Sequence, residues 1–186
     1  IDEFKDEVIV NKEKLIYQKY IYIMMNKPKD IISATEDNKT KTVVDILDEQ
    51  ERIFKPFPVG RLDKDTEGLM LLTNDGDLAH KLTSPKKDIV KKYYVEVFGT
   101  IEDMHITYFK EGAILDDGYK CKSAILDILT SNETSSTVYI YITEGKFHQV
   151  KRMMESIGCE VTYLKRLSIG ELVLDENLKL GEYRYL

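Results

Sequence analysis

Residues 58–74 read PVGRLDKDTEGLMLLTN, and this stretch says more about the fold than any other part of the chain. Two apolar segments flank a polar loop, which predicts two strands with Asp63 where the first strand gives way to the loop. A carboxylate at a strand end on a rigid sheet is well placed for catalysis. Asp is also a favoured turn residue, however, and a turn alone would account for it.

Outward from this stretch, short segments rich in β-branched and aromatic residues predict strands. They span residues 20–26, 68–73, 92–98, 123–129 and 137–143. Residues at helical spacing predict helices over 75–82, 101–108 and 150–157, the last closed by Gly158. Because single helices separate the strands without a regular βαβ alternation, we expect an α+β domain on a mixed, mostly antiparallel sheet flanked by helices.

The first nineteen residues differ from the rest, because they alternate charges with single hydrophobic residues. Two short strands around the turn-like Asn11-Lys12 would fit this pattern. The tail of an upstream domain followed by a linker would fit it as well, and we favour that interpretation. The domain that can be described from its sequence therefore begins at residue 20.

Composition excludes several classes of protein. The 186 residues include 27 Lys and Arg against 33 Asp and Glu, a net charge of −6 that gives no sign of nucleic-acid binding by itself. The longest apolar run, residues 20–25, is far shorter than the roughly 20 residues that cross a bilayer. With no secretory signal, we expect a cytoplasmic protein without membrane contact. Cys121 and Cys159 are predicted to be small core residues of a reducing compartment.

The sequence also lacks the motifs that would indicate a cofactor or a metal ion. Residues 63–68, DKDTEG, match the first half of a calcium-binding loop, but the position that needs a bidentate Glu is Asn74. Glycine-rich nucleotide loops, zinc-protease helices and serine nucleophile elbows are missing from the sequence. We therefore expect neither a cofactor nor a metal.

Two local segments are basic although the chain is acidic. Residues 146–152 (KFHQVKR) contain three cations, one His and no acid at the start of the predicted last helix, which makes a candidate phosphate-binding surface. Lys91 and Lys92 precede Tyr93 and Tyr94, and basic residues interleaved with aromatic ones suit unstacked bases. Strand alternation places the two tyrosines on opposite faces, so both cannot enter one cleft.

At this point several motifs, in order, resemble one family. Gly60-Arg61-Leu62-Asp63, followed by Asp65-Thr66 and by LTNDG at 72–76, is similar to the catalytic motif of pseudouridine synthases of the ribosomal small-subunit synthase A group and its large-subunit relatives. Further matches are MNKP at 25–28, Lys91-x-Tyr93, EGKFHQVKRM at 144–153, and the ending from LSIG at 167–170 to GEYR at 181–184. The resemblance implies a pseudouridine synthase fold with a central cleft. It assigns residues 20–186 to the catalytic domain and 1–19 to a remnant of an N-terminal RNA-binding domain with its linker.

The resemblance also implies roles for the central residues. Asp63 would be the catalytic carboxylate, acting as a nucleophile on the sugar or as the base that opens a glycal route. Lys151 would be the cation that keeps it ionised, and Tyr93 would stack on a flipped uracil and assist proton removal from the ring carbon. Leu164 would pack on the opposite face of the base, while Arg61 would fill the gap in the RNA or hold a phosphate.

The other predicted RNA-binding residues share a basic side chain. They are Lys91, Lys92, Lys146, His148, Arg152 and Arg166. His148 would contact RNA or cap the helix. We expect the cations, together with Lys151 and Lys165, to converge on one face of the protein.

The expected substrate is a uridine in ribosomal RNA, most simply 16S RNA, free or in an assembling small subunit, and the expected state is a monomer. A large-subunit 23S RNA synthase of the same family is the alternative within this chemistry. A silent rRNA-binding assembly factor would share the basic patches, but it would have no reason to combine Asp63, Lys151 and Tyr93. A nucleoside-cleaving hydrolase using Asp63 would need a second acid or a metal cluster, and neither is evident in the sequence.

Overall fold

The fold was taken from a computed structural model, which describes residues 8–10, 13–15 and 18–186. Eleven strands are present in the described part of the chain. They are β1 (Val8–Val10), β2 (Glu13–Leu15), β3 (Tyr22–Lys27), β4 (Phe57–Pro58), β5 (Glu67–Thr73), β6 (Lys91–Phe98), β7 (Ile125–Ser131), β8 (Ser135–Ile142), β9 (Glu160–Ile169), β10 (Leu172–Val173) and β11 (Tyr183–Tyr185).

Four α-helices and two 3-10 turns are described alongside the strands. The helices are α1 (Glu49–Arg52), α2 (Gly76–Thr83), α3 (Asp103–Glu111) and α4 (Gln149–Glu155). The 3-10 turns are Val44–Ile46 and Pro85–Lys87. Helix α2 begins after Asp75, whose side chain accepts a hydrogen bond from the Leu78 amide, as an N-cap residue should.

Nine of the strands form one sheet. Its order is β11-β3-β5-β9-β6-β8-β7, with β4 added to β5 and β10 added to β9. Strands β5 and β9 run parallel, and the other pairs are antiparallel. The structure therefore confirms the predicted α+β class and the mixed, mostly antiparallel sheet.

Residue alternation decides which face of the sheet is buried. In β6, Tyr93, Val95 and Val97 belong to the main core, whereas Tyr94 and Glu96 point to the other side and are partly exposed. Strand β5 is buried along its whole length because both of its faces are covered. Helix α4 contributes Met153 and Met154 to the main core, so this helix lies against the same face as Tyr93.

Strands β9, β10 and β11 and helix α1 were not predicted. The predicted strands and helices are present within two or three residues at each end, with one exception. The strand expected to reach Asp63 ends at Pro58, so the expectation that Asp63 lies at a strand end is wrong. Gly60 has a φ of +76°, and after it the chain leaves the sheet and forms a loop that runs to β5.

The N-terminal segment forms a hairpin, in which β1 pairs antiparallel with β2 and Val8 lies opposite Leu15. This matches the two short strands that the sequence allowed, although Asn11-Lys12 itself lies outside the described residues. The assignment of residues 1–19 to a remnant of an RNA-binding domain stays a prediction. In the described ranges, none of the helices has the length and apolar character required to span a bilayer. Both cysteines are free and buried.

Candidate active site

The loop that carries Asp63 is fastened to β3 by one buried lysine. Lys27 has no exposed surface, and its Nζ donates to the carbonyl oxygens of Asp63 and Thr66 at 3.1 and 2.8 Å. Two more carbonyl oxygens, of Pro28 and Lys64, lie at 3.1 and 3.3 Å. An ammonium group with four carbonyl acceptors holds the backbone of this loop in one arrangement.

Ser33 supports the same loop from the other side. Its hydroxyl accepts from the Leu62 amide and donates to the Leu62 carbonyl, each at 2.9 Å. The Asp30 amide donates to the Lys64 carbonyl at 2.9 Å. Side-chain and turn hydrogen bonds therefore replace the sheet pairing that the sequence suggested for this segment, and the Asp63 backbone is fixed without a strand.

The start of α4 brings two basic side chains to the Asp63 carboxylate. His148 Nε2 lies 3.5 Å from Asp63 Oδ1, and Lys151 Nζ lies 3.4 Å from Asp63 Oδ2. His148 precedes the helix in a left-handed conformation, with a φ of +48°, and its side chain makes no capping hydrogen bond. A non-glycine residue held in this region costs free energy, and such residues occur often at functional sites.

Lys151 is shared between two carboxylates. Its Nζ donates to Asp65 Oδ1 and Oδ2 at 2.7 and 2.9 Å, closer than to Asp63. Burial acts to raise the pKa of Asp65, but the hydrogen bond and charge of Lys151 outweigh it, so the pKa lies below its usual value. The predicted pairing of Lys151 with Asp63 is thus present in the geometry, with Asp65 as a second partner.

Tyr93 and Leu164 form the apolar part of the cavity above Asp63. Tyr93 is 8% exposed and lies on β6, and Leu164 lies on the neighbouring strand β9, opposite Val95. This Asp63 cavity, of about 80 Å³, is also lined by Arg61, Lys146, His148 and Lys151. Seven of the predicted site residues therefore line one small cavity.

A larger cavity adjoins the first one and accounts for two more predicted residues. Lys91 and Arg166 line it, together with Arg61, Tyr93 and Lys146 from the Asp63 cavity. Arg166 is 3% exposed, so it is an interior residue and not the surface cation that the sequence suggested. We call this space the Arg166 cavity.

Three predicted cations lie elsewhere. Lys92 and Lys165 line a different pocket, and Lys92 Nζ lies 3.9 Å above the ring of Tyr139. Arg152 forms ion pairs with Asp116 and Asp117 at 2.6 and 2.9 Å. The expectation that all the cations converge on one face is therefore wrong, because residues adjacent in a strand point to opposite sides.

Sequence reasoning missed three residues of the site. Lys27 and Asp65 were part of quoted motifs but were given no role in the site, and Phe147 was not singled out. Phe147 is 76% exposed at the rim, and its ring stacks on His148 with centroids 3.7 Å apart. The position of Phe147 between Lys146 and His148 was the available indication.

Taken together, these groups suit an anionic substrate with a planar ring. A carboxylate flanked by basic side chains can act as nucleophile or base, an aromatic wall can stack on a base, and a basic rim can hold phosphates. In the described part of the chain, no group of three or more His, Cys, Asp or Glu side chains is placed to hold a metal ion.

Comparison with known proteins identifies the family. A family model described as RNA pseudouridylate synthase matches residues 21–156. The chain is 50% identical over 186 residues to "Uncharacterized RNA pseudouridine synthase YtzG" of Bacillus subtilis, covering all of this chain and 78% of that protein. It is 41% identical over 166 residues to "Ribosomal small subunit pseudouridine synthase A" of Vibrio parahaemolyticus, covering 89% of this chain and 70% of that protein.

A solved structure agrees with these matches. A protein described as pseudouridylate synthase superposes with a TM-score of 0.83 at 38% identity, covering 98% of this chain and 77% of that chain. The chain therefore belongs to the RNA pseudouridylate synthase family and is an isomerase that acts on uridine in RNA. The predicted family and fold are confirmed.

Proposed function

We propose that this protein converts one uridine of small-subunit 16S ribosomal RNA into pseudouridine, with Asp63 as the catalytic carboxylate. The observation that carries the proposal is the position of Asp63 in a small cavity, faced by Tyr93 and Leu164 and contacted by His148 and Lys151. Relatives named ribosomal small subunit pseudouridine synthase A, at about 40% identity, support the choice of target.

The reaction breaks the bond between a uracil nitrogen and the ribose, turns the base, and joins a ring carbon to the same sugar carbon. A proton leaves that ring carbon at the end. Asp63 either attacks the sugar carbon or removes a sugar proton to give a glycal, and both routes require its ionised form. Lys151 Nζ lies 3.4 Å from the Asp63 carboxylate.

The walls of the cavity suit a base that has left its helix. Flipping a nucleotide costs a few kcal/mol, which stacking on an aromatic side chain offsets in part. Tyr93 stacks on the flipped uracil and assists proton removal, and Leu164 packs on its other face. Arg61 lines both cavities, where it fills the space that the base vacates or holds a phosphate.

Basic residues at the rim bind the RNA backbone. Lys146 and His148 lie at the Asp63 cavity, and Arg152 would bind RNA if a phosphate replaced Asp116 or Asp117 at its guanidinium group. Lys92 would have to bind a strand on the other side of the sheet. We further propose that the protein works as a monomer in the cytoplasm, on ribosomal RNA or an assembling small subunit, without metal or cofactor.

The test is tritium release from ribosomal RNA labelled on the uracil ring carbon that forms the new bond. Separate 16S and 23S substrates should be compared, and the modified position should be mapped. Release from 16S RNA supports the proposal, whereas release confined to 23S RNA would make the protein a large-subunit synthase. Binding without release would favour an assembly factor, and free uracil as the product would indicate a hydrolase.

A further inference from the structure

The Arg166 cavity is several times larger than the Asp63 cavity, at about 460 Å³ against about 80 Å³. The two cavities share Arg61, Tyr93, Gly145 and Lys146 as lining residues. Because they are contiguous, one ligand can place different groups in each of them. A uridine needs the Asp63 cavity for its base and sugar carbon, which leaves the second cavity for another part of the RNA.

A buried and incompletely bonded arginine lines the second cavity. Arg166 Nε donates to the Leu69 carbonyl at 2.9 Å, but its buried Nη2 has no hydrogen-bond partner among the described residues. An unsatisfied buried donor costs free energy, and more when it is charged. Arg166 lines the cavity, so the charge of its guanidinium group acts on any ligand that enters it.

A second cation lies close to this arginine. Lys91 lies on β6, the strand next to β9, and lines the same cavity. The one hydrogen bond that its Nζ makes with described residues is a long one, of 3.4 Å, to the Ile89 carbonyl. Burial, and then repulsion from the Arg166 guanidinium, lower the pKa of Lys91. Two cations held together in a half-buried space favour an anion between them.

Glu144, the acidic residue that lines this cavity, already accepts hydrogen bonds from other parts of the protein. Glu144 accepts hydrogen bonds from the Tyr119 hydroxyl at 2.8 Å, from the Lys122 amide at 2.8 Å and from Gln149 Nε2 at 2.7 Å. Its oxygens are therefore engaged by the protein, and the cavity offers a ligand mainly cationic donors. The oxygens of a phosphodiester only accept hydrogen bonds, and their charge matches these donors.

We propose that the Arg166 cavity binds the phosphodiester attached to the ribose of the flipped uridine, with Arg166 and Lys91 as its ligands. This rests on the proposed function, because it assumes a uridine in the Asp63 cavity. Anchoring the phosphate fixes the ribose, and with it the sugar carbon, against the Asp63 carboxylate. Arg166 and Lys91 are thereby binding residues that orient the substrate.

The test is an NMR titration of the protein at low salt with four probes: uridine, uridine 3′-monophosphate, uridine 5′-monophosphate and inorganic phosphate. At least one of the two nucleotides should bind tenfold or more tightly than uridine. In Lys91→Gln, most of this gain should disappear, while uridine affinity is unchanged. Lys91→Gln is preferred to a change at Arg166, because the buried arginine also bonds to Leu69 and its loss would disturb the fold.

Lys92→Gln is the matched control, because it removes the same charge one residue later on the opposite side of β6. It should keep the full gain of the nucleotide over uridine. Equal affinities for uridine and both nucleotides would overturn the proposal, as would a gain that Lys91→Gln retains. Saturation by inorganic phosphate, with no gain for either nucleotide, would also overturn it and indicate a site for a free anion.

Failure of this subsite and failure of the proposed function give different results. Asp63→Asn should lose tritium release but keep the nucleotide gain. A wild-type protein that releases no tritium from any ribosomal RNA, yet shows a gain dependent on Lys91, would defeat the proposed reaction and leave the phosphate subsite standing. Tritium release without that gain would support the proposed reaction and defeat the phosphate subsite.

Discussion

Lys151 binds Asp65 more closely than it binds Asp63, with Nζ–Oδ1 at 2.7 Å for Asp65 and Nζ–Oδ2 at 3.4 Å for Asp63. The cation therefore sits in a bidentate contact with a carboxylate to which we assign no chemical step. Asp65 limits how far Lys151 can move towards Asp63. We infer that Asp65 is a positioning residue for Lys151. Asp63 makes only the longer contacts, of 3.5 Å with His148 and 3.4 Å with Lys151, which leave its carboxylate accessible to the substrate.

Replacement of the two aspartates should separate their roles. Asp63→Asn keeps the shape but removes the charge, and we expect tritium release to fall by at least about a thousandfold, equivalent to roughly 4 kcal/mol of barrier. Asp65→Asn should keep turnover within tenfold of wild type.

Steady-state kinetics over pH 4–9 would measure both variants. RNA binding and thermal unfolding should be recorded alongside, because the assignment requires Asp63→Asn to remain folded and bound. If Asp63→Asn retained a tenth of the wild-type turnover, Asp63 would not be the catalytic carboxylate. If Asp65→Asn were equally inactive, the two carboxylates would have to act together.

Lys27→Met should destabilise the protein and disturb the catalytic loop. The substitution removes the donor of four carbonyl oxygens, of which that of Thr66 is in a fully buried hydrogen bond and the others are partly buried, and a loss of about 3 kcal/mol or more in the free energy of unfolding follows. Lys29→Met is the control, since Lys29 is exposed, and it should change stability by less than about 0.5 kcal/mol. Urea unfolding of the three proteins measures both effects.

The same lysine should give the wild type a distinctive pH dependence. Burial lowers the pKa of Lys27 to about 8, while an unfolded lysine titrates near 10.4. Between these values the unfolded state holds the proton and the folded state does not, so the contribution of Lys27 to stability rises with pH, by up to about 1.4 kcal/mol per unit. Below pH 8 both states are protonated and the contribution is constant. The advantage of wild type over Lys27→Met should therefore grow from pH 8 to 10, and a constant difference would contradict the lowered pKa.

Phe147→Ala should weaken RNA binding without affecting the fold. The ring is largely exposed at the rim of the Asp63 cavity and rests on His148, so it offers a free face to a base beside the flipped uridine. Stacking of this kind contributes about 1–3 kcal/mol per base. Phe98→Ala removes an exposed aromatic ring at the far end of β6 and is the control. Fluorescence anisotropy with a single-stranded uridine oligomer would measure both, and equal affinities of the two variants would exclude Phe147 as a stacking platform.

Gly68→Ala should be one of the most damaging small substitutions in the chain. Gly68 has a φ of +105°, and a Cβ at this position would lie 2.2 Å from the Arg166 carbonyl oxygen, where β5 and β9 meet. We expect a loss of more than about 3 kcal/mol in unfolding free energy, because neither backbone can give way. Gly76→Ala is the matched control, since a Cβ there meets nothing within 4 Å. Thermal unfolding that shows equal stabilities for the two variants would contradict the close approach of the strands.

Local patterns predicted much of this fold. Alternation in β6 correctly placed Tyr93 and Tyr94 on opposite faces, and the helical spacing over residues 150–157 predicted α4, whose Met153 and Met154 lie in the main core. Strand β9 escaped prediction because Lys165 and Arg166 interrupt its apolar character. One of these points out of the core and the other is buried, which no local pattern distinguishes.

The sequence named more of the residues of the candidate site than of the contacts that arrange them. The motif around Asp63 led to the carboxylate, but its loop takes its shape from Lys27 and Ser33, which are about 30 or more residues away in sequence. The pairing of Lys151 with Asp65 depends on that loop as well. Contacts of this kind arise from the tertiary fold, so single-segment patterns carry no trace of them.

The attachment of the Asp63 loop to Lys27 affects how easily this loop unfolds locally. Loops at active sites commonly exchange their amide hydrogens through local fluctuations, well below the free energy of global unfolding. Here the backbone of Asp63 and Thr66 is bonded to a side chain that emerges from β3, a strand paired on both sides, with β11 and β5. The Thr66 amide, which donates to the Asp63 carbonyl at 3.0 Å, should then exchange as slowly as the amides of β3 and β5. Loop and sheet would form one cooperative unit, and any molecule with β3 and β5 in place would already carry an ordered Asp63 carboxylate.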